Sequence, residues 1–316
     1  MKQSDNSLRH VIVLAGPTAA GKSGLALELA RTMPITIVCA DARQAVRGMR
    51  IGTAAPTEDE YAEVPHVGYE MRDPEQEYSA ADYARDTRLA IDSIPPDRLP
   101  VIVGGSGLYI QALIDGFSED VVPTPQDIRR RVVEELDELG RVGFYKQLTE
   151  VDPIAAARYS DMNPRRVQRA LEYFYTTGTP ISKTWSTPRQ PSLYHTTWLA
   201  VDQPDETLRQ MISSRSAYMW NSGLLEETQR LLDRGLDPDA HMLRTIGYSE
   251  AIDVLTGRCS LPEAQEHLLR STWQYARRQR TWFRRDERYI WLGGPRSEMV
   301  VEARRSICND GPQWCS

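Results

Sequence analysis

The octapeptide Gly16-Pro17-Thr18-Ala19-Ala20-Gly21-Lys22-Ser23 fits the pattern G-x-x-x-x-G-K-[ST]. Such a loop lets backbone N–H groups curl round phosphate oxygens, and the helix that begins inside it adds positive potential. Lys22 is placed to meet the terminal phosphates, and the Ser23 hydroxyl to hold a Mg²⁺ ion. Around it stand the segments this mechanism needs, an apolar strip before the loop and an amphipathic one after it. Hydrolysing enzymes with this loop carry a second acid, at the end of another strand, to help hold the metal. Here the candidate strand, Pro100–Val103, runs into Gly104-Gly105-Ser106-Gly107 instead. The carboxylate at a strand end near the loop is Asp41, which follows Ile35–Ala40. It reads either as a helix cap or turn residue, or as a general base beside the phosphates. A bound di- or triphosphate without a second metal carboxylate points to chemistry other than hydrolysis.

A second set of residues is basic. Arg270–Arg288 holds seven arginines against Asp286 and Glu287, and Arg158–Arg169 holds four against Asp161. The chain as a whole carries −6, so the remainder is strongly acidic. That distribution suits a selective polyanion site better than indiscriminate nucleic-acid binding. In Thr272–Arg285, Trp, Tyr and Phe interleave with arginines, and Thr272, Tyr275, Ala276, Gln279, Trp282 and Phe283 share one stripe of a helix. Either the stripe packs on a core and the arginines stay in solvent, or the arginines line a nucleic-acid backbone. Spacing alone favours the first. Arg165, Arg166 and Arg169 leave the same choice open.

The elements that must position these groups follow from periodicity. His10–Ala15, Ile35–Ala40 and Leu99–Gly105 read as buried strands, with helices over Lys22–Thr32 and Ala80–Ile94 between them. Strand–helix alternation means parallel β-α-β units, whose ligands gather at the carboxyl ends of the strands. After the turn-rich Phe117–Pro125 only helical periodicity is found, at Ile128–Leu139, Phe144–Leu148, Pro153–Tyr159 and Pro164–Thr177. Strands return at Thr196–Val201 and Tyr289–Leu292. The predicted organisation is a discontinuous P-loop α/β core, residues 1–122 and 195–316, interrupted by a mainly helical insertion, 123–194. Residues beyond Gly293 read as a weakly specified tail.

Composition bounds the rest. A chain of 316 residues with 41% apolar and 26% charged residues can build a full core, which excludes wholesale disorder. No apolar run approaches the roughly 18 residues of a membrane span. Met1–Arg9 lacks the apolar stretch of a signal peptide. The four cysteines show no C-x-x-C spacing, and with five scattered histidines they offer no metal cluster. A reduced, cytoplasmic setting and a monomeric protein are the expectations.

Read together, these segments resemble the tRNA dimethylallyltransferases, which prenylate an adenosine beside the anticodon. The resemblance runs from about His10 to Leu292. Its blocks come in the family's order: G-P-T-A-A-G-K-S at Gly16, D-A-R-Q at Asp41, G-T-A-A-P at Gly52 and G-G-S-G-L-Y-I-Q-A-L at Gly104. N-P-R-R-V-Q-R-A-L-E at Asn163, T-I-G-Y at Thr245 and Y-A-R-R-Q-R-T-W-F-R at Tyr275 complete the set.

The resemblance implies a core related to nucleotide kinases whose loop, Gly16, Pro17, Thr18, Ala19, Ala20, Gly21, Lys22 and Ser23, holds dimethylallyl diphosphate with Mg²⁺. It implies that Asp41 takes a proton from the exocyclic amine of a flipped-out adenine. Thr18 hydrogen-bonds the bridging oxygen of the diphosphate, and Arg215 neutralises the leaving pyrophosphate. Contacts to the tRNA anticodon stem-loop are implied for Asp41, Ala42, Arg43, Gln44, Ser106 and Arg129. The same holds for Arg165, Arg166, Val167, Gln168 and Arg169, and for Arg244, Thr245, Ile246, Gly247, Tyr248 and Ser249. Departures from the family pattern are Ala55 for a common Lys, Val46 for a frequent Tyr, Gly68-Tyr69 within a usual H-x-L-I-D, Ser106 for Thr, and Ser249 for a basic residue. Alternatives are prenylation of free adenine nucleotides, a P-loop small-molecule kinase, and a non-catalytic tRNA- or nucleotide-binding protein.

Overall fold

The computed structural model describes residues 8–76, 78–116, 124–186 and 192–314. The chain divides into two compact units, one made of residues 1–114 and 192–316 and the other of 115–191. The first unit starts with β1 (Arg9–Ala15), α1 (Lys22–Ala30), β2 (Ile35–Cys39), α2 (Glu58–Glu63), β3 (His66–Val67), α3 (Ala80–Asp92), β4 (Leu99–Val103) and α4 (Gly107–Ile114). The second holds α5 (Gln126–Val151), α6 (Pro153–Arg158) and α7 (Pro164–Thr177). The first then resumes with β5 (Tyr194–Val201), α8 (Asp205–Asn221), α9 (Leu224–Asp233), α10 (Tyr248–Leu255), α11 (Leu261–Phe283), β6 (Ile290–Leu292) and α12 (Arg296–Asp310).

The six strands form one parallel sheet in the order β3-β2-β4-β1-β5-β6. The central strands are apolar because helices cover both faces: VIVLA of β1, all of β2 and all of β4 are buried. Ile12, Leu14, Leu25, Leu29, Val101 and Leu199 belong to the main core. This is a P-loop NTPase-like α/β fold, as the strand–helix alternation predicts. Between β1 and β2 the chain steps over β4, so the ends of β1, β4 and β2 lie side by side, and the crevice there is where a ligand belongs. Side chains set where the helices begin: Thr57 with Glu60, and Ser79 with Asp82, form reciprocal caps for α2 and α3.

In the second unit α5 continues through two helices predicted apart. Gly140, at φ 62° and ψ 177°, breaks the helical geometry between them. Its core is Val132, Phe144, Leu148, Ala155, Val167 and Leu171. Asn163 caps α7 by accepting from the Arg165 N–H, with Pro164 in the first turn.

The segment after Gly293 departs from expectation. It folds as α12, which buries Met299, Ala303 and Ile307 in the main core. Their spacing of four residues is a helical stripe, hidden among six charged neighbours. The expectation of reduced cysteines holds for the free thiols Cys39 and Cys259 but not for Cys308, which is disulfide-bonded. Among the described residues no helix is long and apolar enough to cross a membrane.

Candidate active site

The loop after β1 carries the backbone geometry that phosphate binding requires. Gly16 takes φ 134° beside the Val201 carbonyl, which leaves no room for a Cβ. Gly21, at φ 97°, turns the chain into α1. Lys22 folds back over the loop, its Nζ donating to the carbonyls of Gly16 at 3.0 Å and Pro17 at 2.7 Å. Burial pushes its pKa down to about 7; Arg215 adds to the shift and Asp41 opposes it. Arg215, from α8, donates to the Thr53 carbonyl at 3.0 Å, and burial lowers its pKa while Asp41 acts the other way. Lys22 therefore feels the charges of Arg215 and Asp41, which come from elsewhere in the chain.

Ser23 and Arg215 line two cavities. One, of about 430 Å³, also holds Ala19, Gly21, Lys22 and Gly24. The other, of about 480 Å³, combines apolar Leu27, Ile37, Ile51 and Val103 with polar Gln44, Arg50, Glu60 and His66. The Ser23 hydroxyl is exposed at this boundary. One hydroxyl fits Mg²⁺, which keeps several waters and takes phosphate oxygens as its other ligands.

Asp41 lies just beyond β2. Its Oδ1 accepts the Arg43 N–H at 2.8 Å, so the turn reading is correct for one oxygen and leaves the other for chemistry. The turn is fixed from two sides. Ser106 Oγ accepts the Ala42 N–H at 3.1 Å, and Gln44 Nε2 donates to the carbonyls of Thr53 and Ala54. Arg43 donates to Met242 Sδ.

A residue placed only on the packing stripe turns out to bridge the site. Gln279 of α11 is buried, accepts the Thr18 N–H at 2.8 Å and donates to the Gly105 carbonyl at 2.9 Å. It ties the phosphate loop to the turn after β4. No motif spacing could reveal this, because the bond spans 261 residues. Of the same stripe Ala276 and Phe283 are also buried, whereas Trp282 is exposed over Gly107. Arg280 pairs with Asp202 at 2.8 Å and Arg284 with the same carboxylate at 3.3 Å, so part of the basic segment serves packing.

Several residues expected to touch tRNA are placed otherwise. Tyr248 is fully buried and its hydroxyl donates to Glu227 at 2.6 Å. Gly247 is buried too, and in the second unit Val167 belongs to the core. The structure places these three in packing positions: the blocks contain exposed and packing residues at helical spacing, and a motif match does not separate them. Arg244 is exposed and pairs with Asp239 at 3.7 Å, Thr245 and Ile246 are half-buried, and the Ser249 hydroxyl donates to Glu250. In the second unit Arg165 and Arg166 are exposed, Arg166 lying 3.6 Å from Asp161. Arg169 donates to Thr124 Oγ1, Gln168 to Glu172, and Arg129 is half-buried.

The Glu227 carboxylate also accepts the backbone N–H groups of Arg50, Ile51 and Gly52. It thereby holds the segment that carries the carbonyls gripped by Arg215 and Gln44. Glu227→Gln keeps the shape but replaces a charged acceptor and turns one oxygen into a donor. Stability should fall by about 1–3 kcal/mol, measured by urea unfolding, and an unchanged midpoint would remove Glu227 from this role.

Sheet, loop and inserted helical unit define a P-loop α/β protein with cavities beside the loop at the strand ends. A sequence model of the IPP transferase family matches residues 44–286. The tRNA dimethylallyltransferase of Thermomicrobium roseum is 38% identical over 287 residues, 90% of this chain and 87% of that protein. That of Synechococcus sp. WH7803 is 39% identical over 306 residues, 96% and 95% of the two chains. The crystal structure of a tRNA isopentenylpyrophosphate transferase from Bacillus halodurans superposes with a TM-score of 0.70 at 31% identity, covering 96% of this chain and 97% of that one. A eukaryotic dimethylallyltransferase captured acting on tRNA gives 0.79 at 27% identity, covering 95% and 78%. The chain belongs to the IPP transferase family.

Proposed function

We propose that this chain transfers the dimethylallyl group of dimethylallyl diphosphate to the exocyclic amine of the adenosine 3′-adjacent to the anticodon in tRNA. The observation that carries the reading is the pairing of a phosphate loop with Asp41, while β4 ends in Gly104-Gly105-Ser106 where a hydrolase would place its second acid. The amine nitrogen attacks the allylic carbon as the carbon–oxygen bond breaks, pyrophosphate departs, and the amine proton passes to Asp41. Negative charge grows on the leaving group, where Lys22, Arg215 and the loop amides meet it. Mg²⁺, with Ser23 among its ligands, supplies further charge neutralisation when bound. Thr18 hydrogen-bonds the bridging oxygen. An adenine stacked in the anticodon loop is out of reach, so it enters flipped, and the exposed arginines at 165 and 166 suit the RNA backbone. The enzyme is read as a cytoplasmic monomer.

Purified protein, Mg²⁺, dimethylallyl diphosphate and unmodified tRNA should give pyrophosphate and a prenylated adenosine by mass spectrometry of nucleosides. Prenylation of free adenine nucleotides, or ATP-dependent phosphorylation, would transfer the assignment to one of the alternatives.

Lys22 gives this reading a pH signature. In the free enzyme its pKa lies near 7; a diphosphate beside it favours the ammonium and raises that value. Binding therefore takes up a proton above about pH 7, and donor affinity falls as pH rises, by at most about tenfold per unit. Calorimetry in buffers of differing ionisation heat should register this uptake, and Lys22→Met should abolish it. Zero uptake at about pH 8 in the unaltered enzyme would contradict the depressed Lys22.

A further inference from the structure

The C-terminal helix brings an arginine to the phosphate loop. Arg296 opens α12, and its guanidinium packs across the first turn of α1. A methyl group added to Gly24 would lie 2.6 Å from Nη1 and 2.7 Å from Cζ, and one added to Gly21 would lie 3.8 Å from Nη2. Gly21 and Gly24 both line the cavity that contains Lys22, Ser23 and Arg215. The guanidinium thus sits against two glycines of the phosphate cavity's wall.

Its electrostatic setting is unfavourable without an anion. Arg296 stands at the positive end of its own helix and lies over the positive end of α1. Arg280 and Arg284, by contrast, are held by Asp202. Among the described residues no carboxylate pairs with Arg296, which is exposed.

We propose that Arg296 is a further binding residue of the diphosphate site, drawing the outer phosphate of the allylic donor into the loop. The inference rests on the donor reading above. A forked guanidinium matches two oxygens of a phosphate. On this proposal Arg296 favours a diphosphate, whose second phosphate it can meet, over a prenyl monophosphate. A side chain at position 24 would push the guanidinium away from the first turn of α1.

Arg296→Ala should raise KM for dimethylallyl diphosphate about 5- to 20-fold, the worth of a charge-assisted contact reduced by exposure and salt. It should leave kcat at saturating donor and KM for tRNA unchanged, and flatten the ionic-strength dependence of kcat/KM for the donor. Arg296→Lys, which keeps the charge, should recover most of the loss, and Gly24→Ala should raise the donor KM in the same direction. Inorganic pyrophosphate with Mg²⁺, titrated calorimetrically, should weaken in parallel in Arg296→Ala. That readout needs no prenyl chemistry: if the unaltered enzyme transfers no prenyl group yet the variant weakens pyrophosphate, the donor reading fails and the phosphate role stands. Wild-type donor KM and wild-type pyrophosphate affinity in Arg296→Ala overturn the proposal. So does a fall in kcat accompanied by a lowered melting temperature, which makes Arg296 a structural residue.

Discussion

Asp41→Asn should lower turnover by about a hundred- to ten-thousand-fold, the usual contribution of a positioned general base, while tRNA affinity survives and diphosphate affinity survives at pH below the Lys22 transition. The reasoning depends on the two oxygens of this side chain. Oδ1 accepts the Arg43 N–H, and Asn preserves that bond, so the turn that also places Ala42 against Ser106 stays closed. The basic oxygen is lost. Asp41 also favours the charged forms of Lys22 and Arg215, so the variant should depress the Lys22 pKa further. The donor's protonation linkage then moves to lower pH, an effect no simple turn residue predicts. Turnover, both dissociation constants and the melting temperature, measured on the one variant, distinguish the roles. Turnover close to wild type would assign Asp41 to the turn alone.

How much of this was legible beforehand follows the range of the interactions. The phosphate loop is contiguous, and its glycines, Lys22 and Ser23 can be read from eight letters because local geometry dictates them. The parallel core is equally plain, since strands buried on both faces must be apolar throughout. Short elements were not visible: α2 has six residues and β3 two, too few for any period to emerge. In α12, three buried apolar residues at four-residue spacing were masked by the charge around them. The block around Tyr248 gives no sign that its ring packs on the Gly52 backbone and its hydroxyl meets the Glu227 carboxylate, because both partners are distant in sequence.

The acidic character of the chain also acquires a meaning. Asp202 holds Arg280 and Arg284, and Glu227 holds the 50–52 backbone, so many carboxylates are spent internally on positioning. Among the described residues Arg296 at the phosphate loop and the exposed Arg165 in the helical unit are two of several cations, Arg130 and Arg277 included, that have no carboxylate ion-pair partner.

Gln279→Leu should destabilise the protein by about 2–4 kcal/mol, because two polar backbone groups lose their partner at once. The Gly105 carbonyl is enclosed, and the Thr18 N–H is partly so. The same change frees the phosphate loop from the turn after β4, so donor affinity should fall with stability. Gln279→Glu separates the two consequences. An ionised Glu can still accept the Thr18 N–H, but it turns a carboxylate oxygen toward the Gly105 carbonyl and adds negative charge beside the diphosphate. Once protonated, it can donate as Gln does. Burial beside a carbonyl raises the folded pKa of that Glu above its unfolded value, so the lost stability returns as pH falls through the folded pKa and is missing above it. Chemical denaturation of wild type and Gln279→Glu across about pH 4 to 8 should show the two curves converging at the acidic end and parting toward neutrality. Parallel curves over that range would mean that the bridge between Thr18 and Gly105 contributes nothing to holding the phosphate loop.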